Sequence, residues 1–218
     1  MKTSAKGLAE IAGHEGLCLS PYLDSVGVWT IGLGHTKAAG LPDPATLPKA
    51  PVEQAIKAMI DLFARDIAAV EERVTRAVKV PIAQHEFDAL VSFDYNTGGV
   101  LRAQITARLN AGDRPGAIRG FDGWRKPPEI IPRRSREKEL FANATYGNGG
   151  FATVFPVKSN NKPDYAKGRR VNILALLQSP VPPVQPPRSD WAPTQPAAPN
   201  PARSGFLSRF WAFFRLPT

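Results

Sequence analysis

The sequence predicts an α+β fold: a mostly helical domain with a small antiparallel sheet after its first helix, then a proline-rich linker and a short amphipathic helix. Three observations carry this prediction. Apolar residues recur at helical spacing through most of residues 1–178. Residues 20–40 instead alternate glycine with β-branched and aromatic residues. Nine of the 22 prolines fall within residues 179–202. With 218 residues, 43% of them apolar and 22% charged, the chain has enough core material for one domain and an appendage, which excludes a disordered chain and an integral membrane bundle. The lone cysteine, Cys18, excludes an intramolecular disulfide framework. No Cys/His cluster and no phosphate-binding glycine loop occurs, so no metal or cofactor is expected.

In chain order, Leu8, Ile11 and Ala12 share a face of a first helix expected to end near Gly13. The run V-G-V-W-T-I-G-L-G-H-T reads as a hairpin or three-stranded sheet, with Gly32 and Gly34 serving its tight turns. From Val52 to Val74, apolar residues at 52, 56, 59, 60, 63, 67, 70 and 74 keep the helical period, and Pro51 suits a first turn, so this is the longest helix. Pro81 opens a segment with Phe87, Leu90 and Val91 inward, stopped by N-T-G-G at 96–99. Further helices are expected over Leu101–Asn110, capped by Gly112, and Arg133–Ala144. Residues 146–178 carry strand and turn signals and are expected to wrap onto the domain, which therefore spans 1–178. The linker at 179–202 favours extended polyproline geometry. In the tail, 203–218, Phe206, Leu207, Phe210, Trp211, Phe213 and Phe214 fill one helical arc with basic but no acidic residues beside them. Such a helix suits a membrane surface or a partner's groove.

The N-terminus lacks the apolar run of a signal peptide, and no stretch approaches the roughly 20 apolar residues of a membrane span. The formal charge of +9 is concentrated late: eight basic against four acidic residues over Arg114–Glu139, and five against one over Lys158–Arg170. A basic C-terminal half suits an anionic partner. No nucleic-acid-binding motif accompanies it, so nucleic acid is not expected as a partner.

The chemistry concentrates in E-G-L-C-L-S-P-Y-L-D-S-V-G-V-W-T-I-G-L-G-H-T, residues 15–36. A glutamate follows a helix end, an aspartate stands in a turn nine residues on, and a threonine lies on a strand six further. The arrangement resembles the phage-type lysozymes, the muramidases of glycoside hydrolase family 24. Pieces in the same order extend the resemblance over about residues 4 to 145: A-R-D-I-A-A-V-E-E-R-V at 64–74, F-D-Y-N-T-G at 93–98, L-N-A-G-D at 109–113, G-F-D-G-W at 120–124 and R-R-S-R-E-K-E-L-F at 133–141. His14, and W-R-K-P-P-E-I-I-P before the paired arginines, depart from the family pattern. The resemblance implies a lysozyme-like fold and a catalytic triad of Glu15, Asp24 and Thr30. It implies peptidoglycan as substrate, cleaved between N-acetylmuramic acid and N-acetylglucosamine with inversion. Tyr22, Gly34, His35, Asn96 and Arg133 are expected to bind substrate or support the site, and His35 to pair with Asp66.

Physical chemistry leads the same way. A β-1,4 glycosidic bond needs a proton for its leaving oxygen and stabilisation of an oxocarbenium-like centre from the other face. Glu15, at a helix end facing the core, suits the acid, because desolvation raises a carboxyl pKa, although Arg133 opposes that effect. Asp24, expected in a solvated turn, suits water positioning together with Thr30. Cys18 is expected as a small buried apolar residue. Two settings are open: a cytoplasmic endolysin released to the periplasm, or a virion-associated lysozyme fastened by residues 204–217 to a structural protein or membrane. A catalytically degenerate lysozyme fold serving as a cell-wall adaptor is the alternative.

Overall fold

The protein's structure, a computed structural model, describes residues 1–48 and 52–178. The linker and tail helix expected at 179–218 lie outside the described residues. Helix α1 spans Ala5–Glu15 and strands β1, β2 and β3 span Leu17–Leu23, Trp29–Gly32 and His35–Thr36. Five helices follow: α2 (Val52–Ala77), α3 (Gln84–Thr97), α4 (Gln104–Asn110), α5 (Arg114–Gly120) and α6 (Ile131–Asn143). The described chain closes with β4 (Phe151–Phe155), β5 (Arg169–Asn172) and α7 (Ile173–Gln178).

Helix α1 runs two residues beyond the Gly13 end expected from glycine content, and this matters because its last residue is Glu15. Ser4 caps its start, accepting the Gly7 N–H at 3.0 Å. Gly16, at φ +68°, ends it in a conformation that L side chains avoid. Helix α3 is the axis of the core. Phe87, Leu90, Val91 and Phe93 are fully buried, and so are Asp88, Ser92 and Asp94 on its other faces. Each of these polar side chains is partnered, as burial demands. Asp88 takes the Ser4 hydroxyl and the Tyr146 phenol, and Asp94 takes Arg73 from α2 at 2.7 Å and the Val100 N–H at 3.0 Å. Gly98, at φ +57°, closes α3 with its N–H on the Asp94 carbonyl.

The expected antiparallel strands β1–β2–β3 are present, but they form part of a five-stranded mixed sheet of order β3–β2–β1–β4–β5. Strand β4 runs parallel to β1, with Leu17 opposite Val154 and Cys18 opposite Phe155, and β5 pairs antiparallel to β4. Residues 146–178 are thus built into the sheet. The β1–β2 register slips between Cys18 and Tyr22, where Pro21 has no N–H to give to the ladder. Helix α5, whose start is marked by the Asp113 cap and Pro115, adds to the expected elements, and α4 begins three residues later and α6 two residues earlier than expected. The cap after α4 is Ala111, with Gly112 at φ +79° beyond it.

Candidate active site

Glu15 ends α1 with 6% of its surface exposed, facing a cluster of ionic side chains. Arg133 donates from Nη1 to Glu15 Oε1 at 2.5 Å, from Nε to Glu137 Oε1 at 2.8 Å and from Nη2 to the Ser92 carbonyl at 3.0 Å. The Ser92 hydroxyl donates to Glu137 at 2.7 Å, and Arg134 joins Glu137 to Asn96 Oδ1. Arg133, Arg134 and Glu137 are each at most 2% exposed. Two of the arginines expected to contribute to a basic surface are therefore interior. Burial raises the Glu15 carboxyl above its ordinary range, and the Arg133 charge and hydrogen bond only partly offset this, since Arg133 also serves Glu137. The next-door His14, with 5% of its side chain exposed, is held well below its ordinary pKa, first by desolvation and then by the charges of Arg133, Arg136 and Arg134.

Asp24 stands where β1 turns toward β2. Its Oδ1 accepts the backbone N–H groups of Val26 at 2.9 Å and Val28 at 2.8 Å. Its own N–H donates to the Val28 carbonyl at 3.0 Å, and the Thr30 hydroxyl donates to the same carbonyl at 3.1 Å. Asp24 and Thr30 are thus joined through Val28. The solvated turn expected for Asp24 is not found: the residue is 8% exposed and backbone donors replace water around Oδ1. Thr30 is fully buried and donates to Val28, which leaves its oxygen lone pairs as acceptors.

The remaining expected residues divide between the site and its support. Tyr22 lies opposite Thr30 in the sheet but packs inward with Cys18 and Phe155, and burial lifts its phenol pKa. Cys18 is buried and free, its thiol pushed up to about 12 by desolvation. Gly34, at φ +98°, makes the turn into β3, where a Cβ would stand 3.4 Å from the Tyr95 hydroxyl that donates to Leu33 O at 2.6 Å. His35 Nδ1 lies 2.9 Å from Asp66 Oδ2, and its Nε2 lies 2.9 Å from the Pro42 carbonyl. Desolvation opposes charge on this ring, but Asp66 and the Pro42 carbonyl outweigh it and raise the pKa. Sequence reasoning missed Glu137, Arg134 and Ser92. The i,i+4 spacing of Arg133 and Glu137 on a helix was a signal for the first.

The Phage lysozyme family profile matches residues 12–137, a span holding Glu15, Asp24, Thr30, Arg133 and Glu137. The chain is 35% identical over 156 residues to an endolysin of Acyrthosiphon pisum secondary endosymbiont phage 1, covering 66% of this chain and all of that one. It is 34% identical over 147 residues to an endolysin of Salmonella phage P22, covering 65% and 98%. Its fold is similar to that of the endolysin from Escherichia coli O157:H7 phage FAHEc1, with a TM-score of 0.58 at 32% identity over 68% of this chain and 98% of that one.

Proposed function

The chain belongs to the phage lysozyme family, and we propose that it cleaves the β-1,4 bond between N-acetylmuramic acid and N-acetylglucosamine with inversion, with Glu15, Asp24 and Thr30 as the reacting groups. It is a peptidoglycan hydrolase of the endolysin kind, acting in phage lysis of the bacterial cell wall. The observation that carries the mechanism is the contrast between the two carboxyls: Glu15 is buried on an ionic cluster with its pKa raised, and Asp24 is tied to a backbone turn together with Thr30.

The protonated Glu15 gives its proton to the glycosidic oxygen as the bond to the anomeric carbon breaks. Water held between Asp24 and the Thr30 oxygen attacks that carbon from the opposite face and loses its proton to Asp24. The product sugar then carries the inverted configuration. Arg133, shared between Glu15 and Glu137, fixes the Glu15 carboxyl in the buried cluster, and Asn96 holds Arg134 on the cluster's far side. His35–Asp66 braces the short strand β3 against α2.

Digestion of purified peptidoglycan tests this reading. Fragments ending in reducing N-acetylmuramic acid, first released as the α-anomer, are expected. Anhydro-muramic ends, or a β-anomeric first product, would contradict it. Among the described residues no helix is long and apolar enough to cross a membrane. For the tail, which lies outside the described residues, we propose attachment to a membrane surface or phage structural protein, because its sequence joins seven large apolar residues to three arginines without an acid. Deletion of residues 180–218 should abolish attachment and spare hydrolysis.

A further inference from the structure

Residues 146–178 lie beyond the span matched by the family profile, yet they touch the elements carrying both candidate carboxyls. At one end, Asn148 donates from Nδ2 to the Ala9 carbonyl at 2.5 Å and from its backbone to Glu10 at 3.2 Å. A Cβ on Gly13 would collide with this asparagine, so α1 presents a bare backbone face to it. Strand β4 then pairs with β1 at Leu17 and Cys18, directly after Glu15. At the other end, the turn between β4 and β5 reaches the Asp24 loop. The Leu23 N–H donates to the Asn161 carbonyl at 2.8 Å, and Lys162 Nζ donates to the Asp24 carbonyl at 2.9 Å and to the Leu23 carbonyl at 3.4 Å. The turn itself is fixed. Asn161 sits at φ +60°, which asparagine tolerates, its N–H bonds the Lys158 carbonyl, and Val157 and Pro163 form a bridge beneath it.

We propose that residues 146–178 act as a clamp completing the catalytic site, with Lys162 as a positioning residue that holds the Asp24 backbone in place for water activation. The inference rests on the roles assigned above to Glu15 and Asp24. Lys162 is itself exposed, and its ammonium ties two successive carbonyls of the loop by charge-assisted hydrogen bonds, the shorter of them part-buried. The side chains of the Asp24 loop tie it only to itself: Asp24 Oδ1 accepts from Val26 and Val28, and the Thr30 hydroxyl donates to the Val28 carbonyl. Loss of the anchor lets the carboxylate drift from the anomeric carbon without unfolding the sheet, and displacements of an ångström at a reacting group cost rate steeply.

The experiment measures kcat and KM on purified peptidoglycan, with thermal unfolding, for the full chain and for Lys162→Met, Lys162→Arg, Lys167→Ala and Glu15→Gln. Met keeps the stem and removes the donors; Arg restores a donor; Lys167, on the same hairpin, controls for general attraction to an anionic polymer. Lys162→Met should lower kcat about tenfold with KM within about twofold, Lys162→Arg should recover most of it, and Lys167→Ala should match the wild type. Wild-type kcat in Lys162→Met overturns the clamp. So does a loss confined to KM and shared by Lys167→Ala, which would mark plain charge attraction, and so does a kcat loss that tracks a fall in thermal stability and is not recovered by Arg. Activity surviving in Glu15→Gln overturns the proposed function itself, whatever Lys162 does.

Discussion

Glu15 and Asp24 lie nine residues apart and are shielded almost equally, at 6% and 8% exposure, yet they are held in different ways. Glu15, at the end of α1, meets Arg133 of α6, which is itself held by Glu137 of α6 and the Ser92 carbonyl of α3. The Asp24 carboxyl meets backbone N–H groups from its own loop, and Lys162, between β4 and β5, holds its backbone carbonyl. The comparison teaches that exposure does not decide a carboxyl's role. What decides it is whether the surroundings favour the neutral or the charged form. Desolvation wins at Glu15, because its one cationic partner is shared with a second acid. At Asp24, two backbone N–H groups fix the direction of one carboxyl oxygen.

The largest expected break in the comparison is Glu15→Gln, which should cut reducing-end release by about 10²–10⁴-fold. Its stability should move the other way. A carboxyl whose folded pKa is raised stabilises the fold below its unfolded value, and that contribution fades as pH rises through the folded value. Above this window the neutral glutamine should leave the unfolding temperature unchanged or higher; a clear fall would mean that the Arg133 pair outweighs burial. Arg133→Met should come next, costing about 3–5 kcal/mol in denaturant unfolding, because Glu15, Glu137 and the Ser92 carbonyl all lose a buried partner. Asp24→Asn should cost less than about 1.5 kcal/mol, since an amide oxygen still accepts from Val26 and Val28, while hydrolysis falls sharply. The contrast would collapse if the two substitutions were equally destabilising.

The smallest effect concerns His35. Its pKa is raised in the fold, so the stability it draws from Asp66 and Pro42 is complete below about pH 6.5 and is lost as pH rises through the folded value. The stability gap between wild type and Asp66→Asn should therefore shrink across that range. A gap independent of pH would mean a neutral imidazole throughout.

Much of this was legible in the sequence, and the missing parts have physical causes. The spacing of Glu15, Asp24 and Thr30 is local, and local spacing survives folding. The α2 period was equally readable, although the helix continues to Ala77. The ionic cluster was only half visible. Arg133 stood out in R-R-S-R-E, but that Glu137 is buried depends on α3 packing over it, at positions some 45 residues away. The extension was least legible of all. Strand β4 pairs in parallel with β1 across more than 130 residues of chain, and no turn signal announces such a partner. The solvated surroundings expected for Asp24 failed for the same reason, because the hairpin that covers that side comes from β4 and β5.

At Glu15, burial outweighs the Arg133 charge. Carbon-detected NMR of the Glu15 carboxyl, followed through a pH titration of the folded protein, measures that balance directly. A midpoint above the ordinary 4.5 is expected. A midpoint at or below 4.5 would show the ion pair in control, leave Glu15 ionised at working pH, and contradict its role as the acid.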